Sequence, residues 1–254
     1  KNDFSYLTSI GNFGEGPEEI TVMGCLAIDE AHHQLYVSDH AKQKIFSYDM
    51  DSVMVDSLYK PQVKTAMNET LFPSEYQYIN DTLSIAVLIK PTSTSTFNQF
   101  LGRWNMNTGE MIPMKYTHPD IQKKRITFAA SEKAGIYVEC YTRHDLMTIC
   151  SLDGELLYNI YGPDWDGGNG NKLQSFGTVM IGNDKIFVSY CGEDYARDSF
   201  PTKILVFDLE GNYLKTLETG YKISDCCYDS FNNRIILSLN DVVQFAYLDI
   251  DGII

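Results

Sequence analysis

Imidazole is the side chain that titrates nearest neutral pH, so the five histidines are the first residues to weigh for chemistry. They are His32, His33, His40, His118 and His144. His32, His33 and His118 stand in polar turn sequence and read as solvated turn residues. His40 and His144 stand in matching loops of two repeats. Arg143-His144-Asp145 sets a base beside an acid, but neighbours in a tight turn rarely form a proton relay. The stretch Asp164-Trp165-Asp166-Gly167-Gly168-Asn169-Gly170-Asn171 alternates acids with glycine, and such a loop can wrap oxygens around calcium. Asp164, Asp166 and Asn169 are its candidate ligands. The EF-hand spacing fails, because the fifth position is Gly168 and the terminal glutamate is missing. A glycine-rich connection is therefore the expectation, with calcium as the cofactor to look for. The sequence has no G-x-S-x-G elbow, no H-E-x-x-H and no phosphate loop.

Cys25, Cys140, Cys150, Cys191, Cys226 and Cys227 fall in no paired zinc pattern. Most lie in apolar, strand-like runs and are expected to pack as free thiols. Cys226 and Cys227 are neighbours, and neighbouring strand residues face opposite ways. Cys140 and Cys150, in one hairpin, are the least unfavourable pair to bridge.

The net charge is −14, with 34 acids against 20 bases. Nucleic acid and anionic membrane surfaces need clustered Lys and Arg, so neither is expected as a partner. No apolar run reaches the roughly 18 residues of a membrane span. The opening Lys1-Asn2-Asp3 is polar and carries no signal peptide. A leader removed by processing is compatible with that opening.

The elements that would position these residues repeat. Turns built on Asp51, Asn107, Asp153, Glu210 and Asp251 each join two apolar runs, and they recur roughly every 50 residues, the length of a four-stranded blade. Each follows a second hairpin, as in Val179-Met180-Ile181, Gly182-Asn183-Asp184, Ile186-Phe187-Val188. The reading is an all-β fold: one β-propeller domain over 1–254, built of four-stranded antiparallel blades. Five repeats are counted and six are possible. The blades span about 22–60, 76–117, 125–161, 176–218 and 223–254. In the first, Val53-Met54-Val55 supplies the fourth strand. The last lacks its fourth strand, and the surplus strand at the front, residues 4–10, is expected to close the ring against Val243–Leu248, since closure removes an exposed edge.

Loop lengths place the functional face. The turns between strands a and b and between c and d are short. The long segments, Gly11–Thr21, Pro61–Glu75, Pro91–Phe97, Thr117–Lys124, Gly162–Ser175 and Cys191–Pro201, belong to the opposite side. On that face Trp165 and Tyr195 can stack on an apolar or sugar surface, and His40, Lys42, Arg143, His144 and Arg197 can orient a polar or acidic ligand.

Leu35-Tyr36-Val37-Ser38-Asp39, Lys44-Ile45-Phe46-Ser47-Tyr48-Asp49 and the opening Ile10-Gly11-Asn12-Phe13-Gly14-Glu15-Gly16-Pro17 resemble NHL-type propeller repeats. Over its full length the chain resembles the TolB-like six-bladed propellers found in secreted or lipid-anchored proteins of gut bacteria. That resemblance implies the fold and an extracytoplasmic location, periplasmic or at the cell surface, and no activity. Asp51-Ser52-Val53, Asp56-Ser57-Leu58 and Asp81-Thr82-Leu83 are similar to the O-glycosylation acceptor of that group. Calcium-dependent lactonases and strictosidine-synthase-like proteins are enzymatic propellers, and by likeness to them Glu18, Glu19, Asn183 and Asp225 are conceivable ion ligands. The expected function is a non-catalytic module that binds a protein, peptide or glycan through its loop face, with no catalytic residue assigned. The alternative is a calcium-dependent hydrolase or lyase with an ion in the central channel.

Overall fold

The structure, a computed structural model, describes residues 5–56, 58–121, 124–169, 173–194, 197 and 199–253. The fold is an all-β propeller of four-stranded antiparallel blades; among the described residues there are five blades, four of them with four strands and the last with three. The chain folds as two compact units, Lys1–Met114 and Lys115–Ile254. The first unit holds β1 (Met23–Asp29), β2 (Gln34–Asp39), β3 (Lys44–Asp49) and β4 (Gln62–Ala66) as one sheet, and β5 (Phe72–Asn80), β6 (Leu83–Pro91), β7 (Phe97–Trp104) and β8 (Met111–Pro113) as another. The second unit holds three sheets: β9 (Ile126–Ser131) to β12 (Leu156–Tyr161) through β10 (Ile136–Tyr141) and β11 (Leu146–Ser151); β13 (Leu173–Gly182), β14 (Lys185–Asp194), β15 (Lys203–Asp208) and β16 (Tyr213–Glu218); and β17 (Ile223–Asp229), β18 (Arg234–Leu239) and β19 (Phe245–Asp249). Each sheet is a meander in sequence order. No helix among the described residues is long and apolar enough to cross a membrane.

Burial explains the sequence of each strand. β10 is buried at every position, and its partner β11 nearly so; both are middle strands, and the fourth sheet packs against one of their faces. Such strands read as continuous apolar runs. The outer strands β12 and β16 are mostly exposed. Within the second unit one core joins the third and fourth sheets through Val138, Ile149, Phe176, Ile186 and Val188. Another joins the fourth and fifth through Phe187, Ile204, Val206, Ile235 and Leu237. In the first unit Tyr36, Ile45, Tyr76, Leu88 and Trp104 fill the space between its two sheets.

Turn chemistry sets the meander. Asn183 and Asp184 both have positive φ, 47° and 54°, and join Gly182 to its partner Lys185 in a two-residue turn, the geometry that favours Asn and Asp. The turns between the third and fourth strands close on a left-handed glycine, Gly154 at φ 86° and Gly211 at φ 85°.

Two expectations fail, each for a local reason. Val53-Met54-Val55 is not a strand but the end of a one-turn helix, α1 (Met50–Val55), and the fourth strand of that sheet is β4. The repeat's glycine is replaced here by Ser52. Without a residue that enters the left-handed region cheaply, the chain turns right-handed instead. The Asp49 carboxylate accepts from the Ser52 N–H at 2.7 Å and caps that turn. The connection 50–61 is therefore long, and the segment 61–75 read as a loop contains β4 and the start of β5. The closing strand is the second failure. Phe4 lies outside the described residues; Ser5–Ile10 form no strand, and the fifth sheet has three strands. The side chains of that segment are mostly exposed, and a strand with no buried face has little to fix its register.

Candidate functional site

In an antiparallel meander the start of the first strand, the turn between the second and third, and the end of the fourth all lie at one end of the sheet. For the third sheet these are the connection before β9, the turn Thr142–Asp145 and the connection after β12. Residues from all three meet. Trp165 sits half-buried with its ring 5.0 Å from Tyr161, 5.5 Å from His118 and 6.0 Å from His144. Tyr141 stacks edge-on to His144 at 6.2 Å, and Tyr116 to His118 at 6.5 Å. Edge-to-face contacts at these separations are favourable beyond the area they bury.

His118 is buried, 2% exposed, and is not the solvated turn residue its sequence context suggests. Its Nδ1 accepts from the Asp120 N–H at 3.3 Å, so the proton lies on Nε2, which faces the Tyr161 hydroxyl at 3.1 Å. Burial, helped by the nearby His144, holds the imidazole below its ordinary value despite the opposing charge of Asp120. A neutral ring with both nitrogens engaged fixes the cluster. His144 is also buried, with Nδ1 3.5 Å from the Asp166 carboxylate.

Asp145 is turned the other way. The residue is 3% exposed, and its Oδ2 accepts the Asp164 N–H at 3.0 Å. Its own carbonyl accepts from the Gly162 N–H at 2.8 Å. A Cβ on Gly162 would collide with that carboxylate, so glycine is what lets the chain pass so closely. Burial pushes the Asp145 carboxyl up, the Asp164 N–H lowers it and the Asp164 charge raises it. The carboxylate lines a cavity of about 570 Å³ between the third and fourth sheets. Phe176 and Phe207 form its buried side. Tyr161 and Tyr213, 50% and 58% exposed, stand at its mouth. Phe176 pairs with Tyr190 at 5.4 Å and Phe207 with Tyr213 at 6.0 Å, both edge-on. Burial and the charges of Asp145 and Asp164 push the Tyr190 hydroxyl up to about 12.

A polar row crosses the third sheet beneath the rings. Glu139, 1% exposed at its side chain, is paired with Lys124 at 2.6 Å and accepts from the Tyr141 hydroxyl at 3.1 Å. Thr148 donates to Asn159, which donates to Tyr116. Glu139 faces Thr148, and Thr148 faces Asn159, in register.

The expected site residues divide. His144, Trp165, Asp164 and Asp166 belong to this end of the third sheet, with Arg143 in the same turn. Arg197 is at the surface, 3.8 Å from Glu193, and Tyr195 lies outside the described residues. His40 and Lys42 belong to the first unit. The His40 ring packs against Phe72 at 6.3 Å. Lys42 Nζ donates to the carbonyls of Gly16 and Glu19 and stands 3.7 Å from Asp39, which ties down the loop they sit in. Burial would raise the Asp39 carboxyl, but backbone N–H groups of Thr21, Lys42, Val22 and Ala41 outweigh it and hold it low.

The calcium candidates are engaged locally. Asp166 Oδ1 accepts from the Gly168 N–H, and the Asn169 amide donates to the Asp166 carbonyl. Gly170 and Asn171 lie outside the described residues. Among the described residues no three His, Cys, Asp or Glu side chains are placed to share a metal ion. Of the residues likened to channel ligands, Glu18 pairs with Lys60, Glu19 accepts from the Gly16 N–H, Asn183 is in its tight turn and Asp225 accepts from Thr178. All six cysteines are free thiols. Cys140 faces Met147 and Cys150 faces Tyr137, so the hairpin register separates the two. Of the glycosylation-like tripeptides, Asp56-Ser57-Leu58 has Ser57 outside the described residues.

Sequence reading missed Asp145, His118 and the ring set Tyr161, Phe176, Tyr190 and Tyr213. Each was visible as an apolar or turn residue, but the cavity exists only once two sheets pack.

Solved structures share the architecture. A chain of the Nidogen/Laminin complex is similar with a TM-score of 0.58 and 10% identity, over 91% of this chain and 76% of that one. The extracellular domain of the proposed one component system BT4673 from B. thetaiotaomicron gives 0.57 and 14% identity, over 91% of this chain and 28% of that one. This chain thus spans little more than a quarter of that relative. A protein of unknown function from Bacteroides caccae gives 0.52 and 12% identity, over 91% and 78%. At these identities the likeness is one of fold. No curated protein matches the sequence. A family model described as a 6-bladed beta-propeller matches residues 2–141, where the described residues of the whole chain form five sheets. On that match, which covers more than half of its length, the chain belongs to the DUF5128 family of 6-bladed β-propellers.

Proposed function

We propose that this propeller is an extracytoplasmic binding module that engages a protein, peptide or glycan at the loop-bearing end of its third sheet. One observation carries the reading: Trp165, Tyr161, His118 and His144 form a ring cluster beside a cavity of about 570 Å³. Aromatic faces with a few convergent polar groups are the usual make-up of a recognition site. His118 has both ring nitrogens occupied in holding that cluster, a role in support of the rings and not in proton transfer. An extracellular domain among the structural neighbours supports the location. A neighbour solved in a complex of two proteins is a precedent for a protein partner on this fold.

The test is display of the chain on glycan and peptide arrays, beside Trp165→Ala and Tyr161→Ala variants with unchanged melting temperature. Capture by the parent chain and its loss in both variants is the expected result. Capture that survives both substitutions, or calcium-dependent breakdown of the captured compounds, would overturn the proposal in favour of another surface or of an enzyme.

A further inference from the structure

The cavity between the third and fourth sheets has a more specific chemistry than its apolar walls suggest. We infer that it is a site for an organic cation, an ammonium group carried on an apolar or aromatic body, with Asp145 as its counter-ion, Tyr161, Phe176 and Tyr190 as the rings at the charged end, and Phe207 and Tyr213 walling the far end that takes the body. This deepens the binding role proposed above and rests on that reading; the cavity runs from the loop-bearing end at Asp145 and Gly162 to the turn at Gly211–Tyr213.

Three observations converge on it. The Asp145 carboxylate lies almost wholly out of solvent, yet lines the cavity. Among the described residues the bond to it is a single backbone N–H, from Asp164 at 3.0 Å, and a carboxylate has room for about four. A buried charge with so few donors is costly unless something positive meets it. The walls supply the second feature. Four aromatic rings in two edge-on pairs, Phe176 with Tyr190 and Phe207 with Tyr213, stand around the space, with Tyr161 beside them. Ring faces attract ammonium groups, most strongly where water is excluded, and cages of this kind recognise quaternary ammonium. The third is charge. The chain carries −14 overall. An anion would meet the like charge of Asp145, and a neutral apolar ligand would leave that carboxylate buried and unmatched. The volume, about 570 Å³, is enough for a phenylalkyl ammonium or a lysine side chain with its flanking backbone.

The experiment is calorimetric titration of the whole chain with three probes that share a phenylethyl body, 2-phenylethylammonium, 2-phenylethanol and 3-phenylpropanoate. A short peptide with one lysine among glycines is the fourth titrant. The ammonium is expected to bind at least about 10-fold more tightly than the alcohol, with the carboxylate weakest. Asp145→Asn, which keeps the volume and removes the charge, is expected to abolish that preference without lowering the melting temperature. Thr216→Trp, which fills the cavity from the outer strand, is expected to abolish binding of every probe. Binding of the lysine peptide would assign the cation to a protein partner. Binding of the free amine with no peptide binding would assign it to a small molecule, and either supports the site. Equal affinity for ammonium and alcohol, a preference that survives Asp145→Asn, or no binding of any titrant would overturn it. Array capture that depends on Trp165 would still stand in each of those cases, so the two readings fail separately.

Discussion

Replacing Lys124 with methionine is expected to remove about 3–5 kcal/mol of stability, because it strands Glu139 as an unpaired charge in the third sheet. The two side chains are 8% and 1% exposed, with Nζ and Oε1 2.6 Å apart. At an effective dielectric constant of about 20 their attraction is roughly 6 kcal/mol. Most of this offsets the cost of burying the two charges, so the pair adds little net stability while its rupture is expensive. For a chain of this length each kcal/mol moves the melting temperature by about 2–4 °C, so a fall of about 6–20 °C is expected by circular dichroism. The double change Lys124→Met with Glu139→Leu removes both charges and is expected to recover most of the loss. The same loss should loosen the binding end, since Glu139 also holds the Tyr141 hydroxyl and Tyr141 packs on His144. A Lys124→Met variant that melts within about 2 °C of the parent, as for an exposed ion pair, would refute the reasoning. A double variant no better than the single one would do the same.

Asp145 gives a pH test with the opposite sign. Its carboxyl is raised in the folded chain, so the folded state holds the proton more tightly and stability falls as pH rises from the unfolded value of about 3.9 through the folded one. Asp145→Asn should therefore melt higher than the parent at pH 7 and alike at about pH 3; a variant that melts lower at pH 7 contradicts this. The thiols should sort by exposure. Cys227 is exposed, while Cys140, Cys150 and Cys226 are buried and burial pushes Cys226 up to about 12. A thiol reagent should modify Cys227 first, the buried three only on unfolding, and all six in denaturant; a fast phase that persists in Cys227→Ser would be the contrary result. Gly154→Ala should cost about 1–2 kcal/mol, since the left-handed turn at φ 86° is strained for a residue with a Cβ, whereas Gly154→Asn should cost less. Equal losses for both, in chemical denaturation, would point away from backbone strain.

What was legible in the sequence is what neighbouring residues decide. Asn183-Asp184 in a hairpin, glycine at 154 and 211, and the unbroken apolar run of β10 each carry their structure in a few positions, and the blades follow from their recurrence. The misreadings have the same origin. Asp49-Met50-Asp51-Ser52 looks like the other turns, but a serine in place of the glycine sends the chain into α1. Ser5–Ile10 alternates like a strand, but alternation without a buried face does not secure pairing. The candidate site was legible only in part. Trp165 and His144 were found because an aromatic or a histidine in a long loop stands out. His118 was misread because its burial comes from Trp165 and Tyr161, more than 40 residues further along the chain. Lys42 looked like a ligand-orienting base, yet its hydrogen bonds are to the carbonyls of Gly16 and Glu19. Asp145 was seen only as the neighbour of His144. Its character depends on Gly162, on Asp164 and on the fourth sheet that brings Tyr190 across.

Hydrogen exchange of the chain with and without a compound captured on the arrays tests the binding account most directly. Protection is expected in the turn 142–145, in β12 and the residues up to Asn169, and in the strands that wall the cavity, β13 to β16. Protection centred instead on the tight turns at the other end, at Asn183-Asp184 and Asn232-Asn233, with the third-sheet loops unchanged, would contradict it.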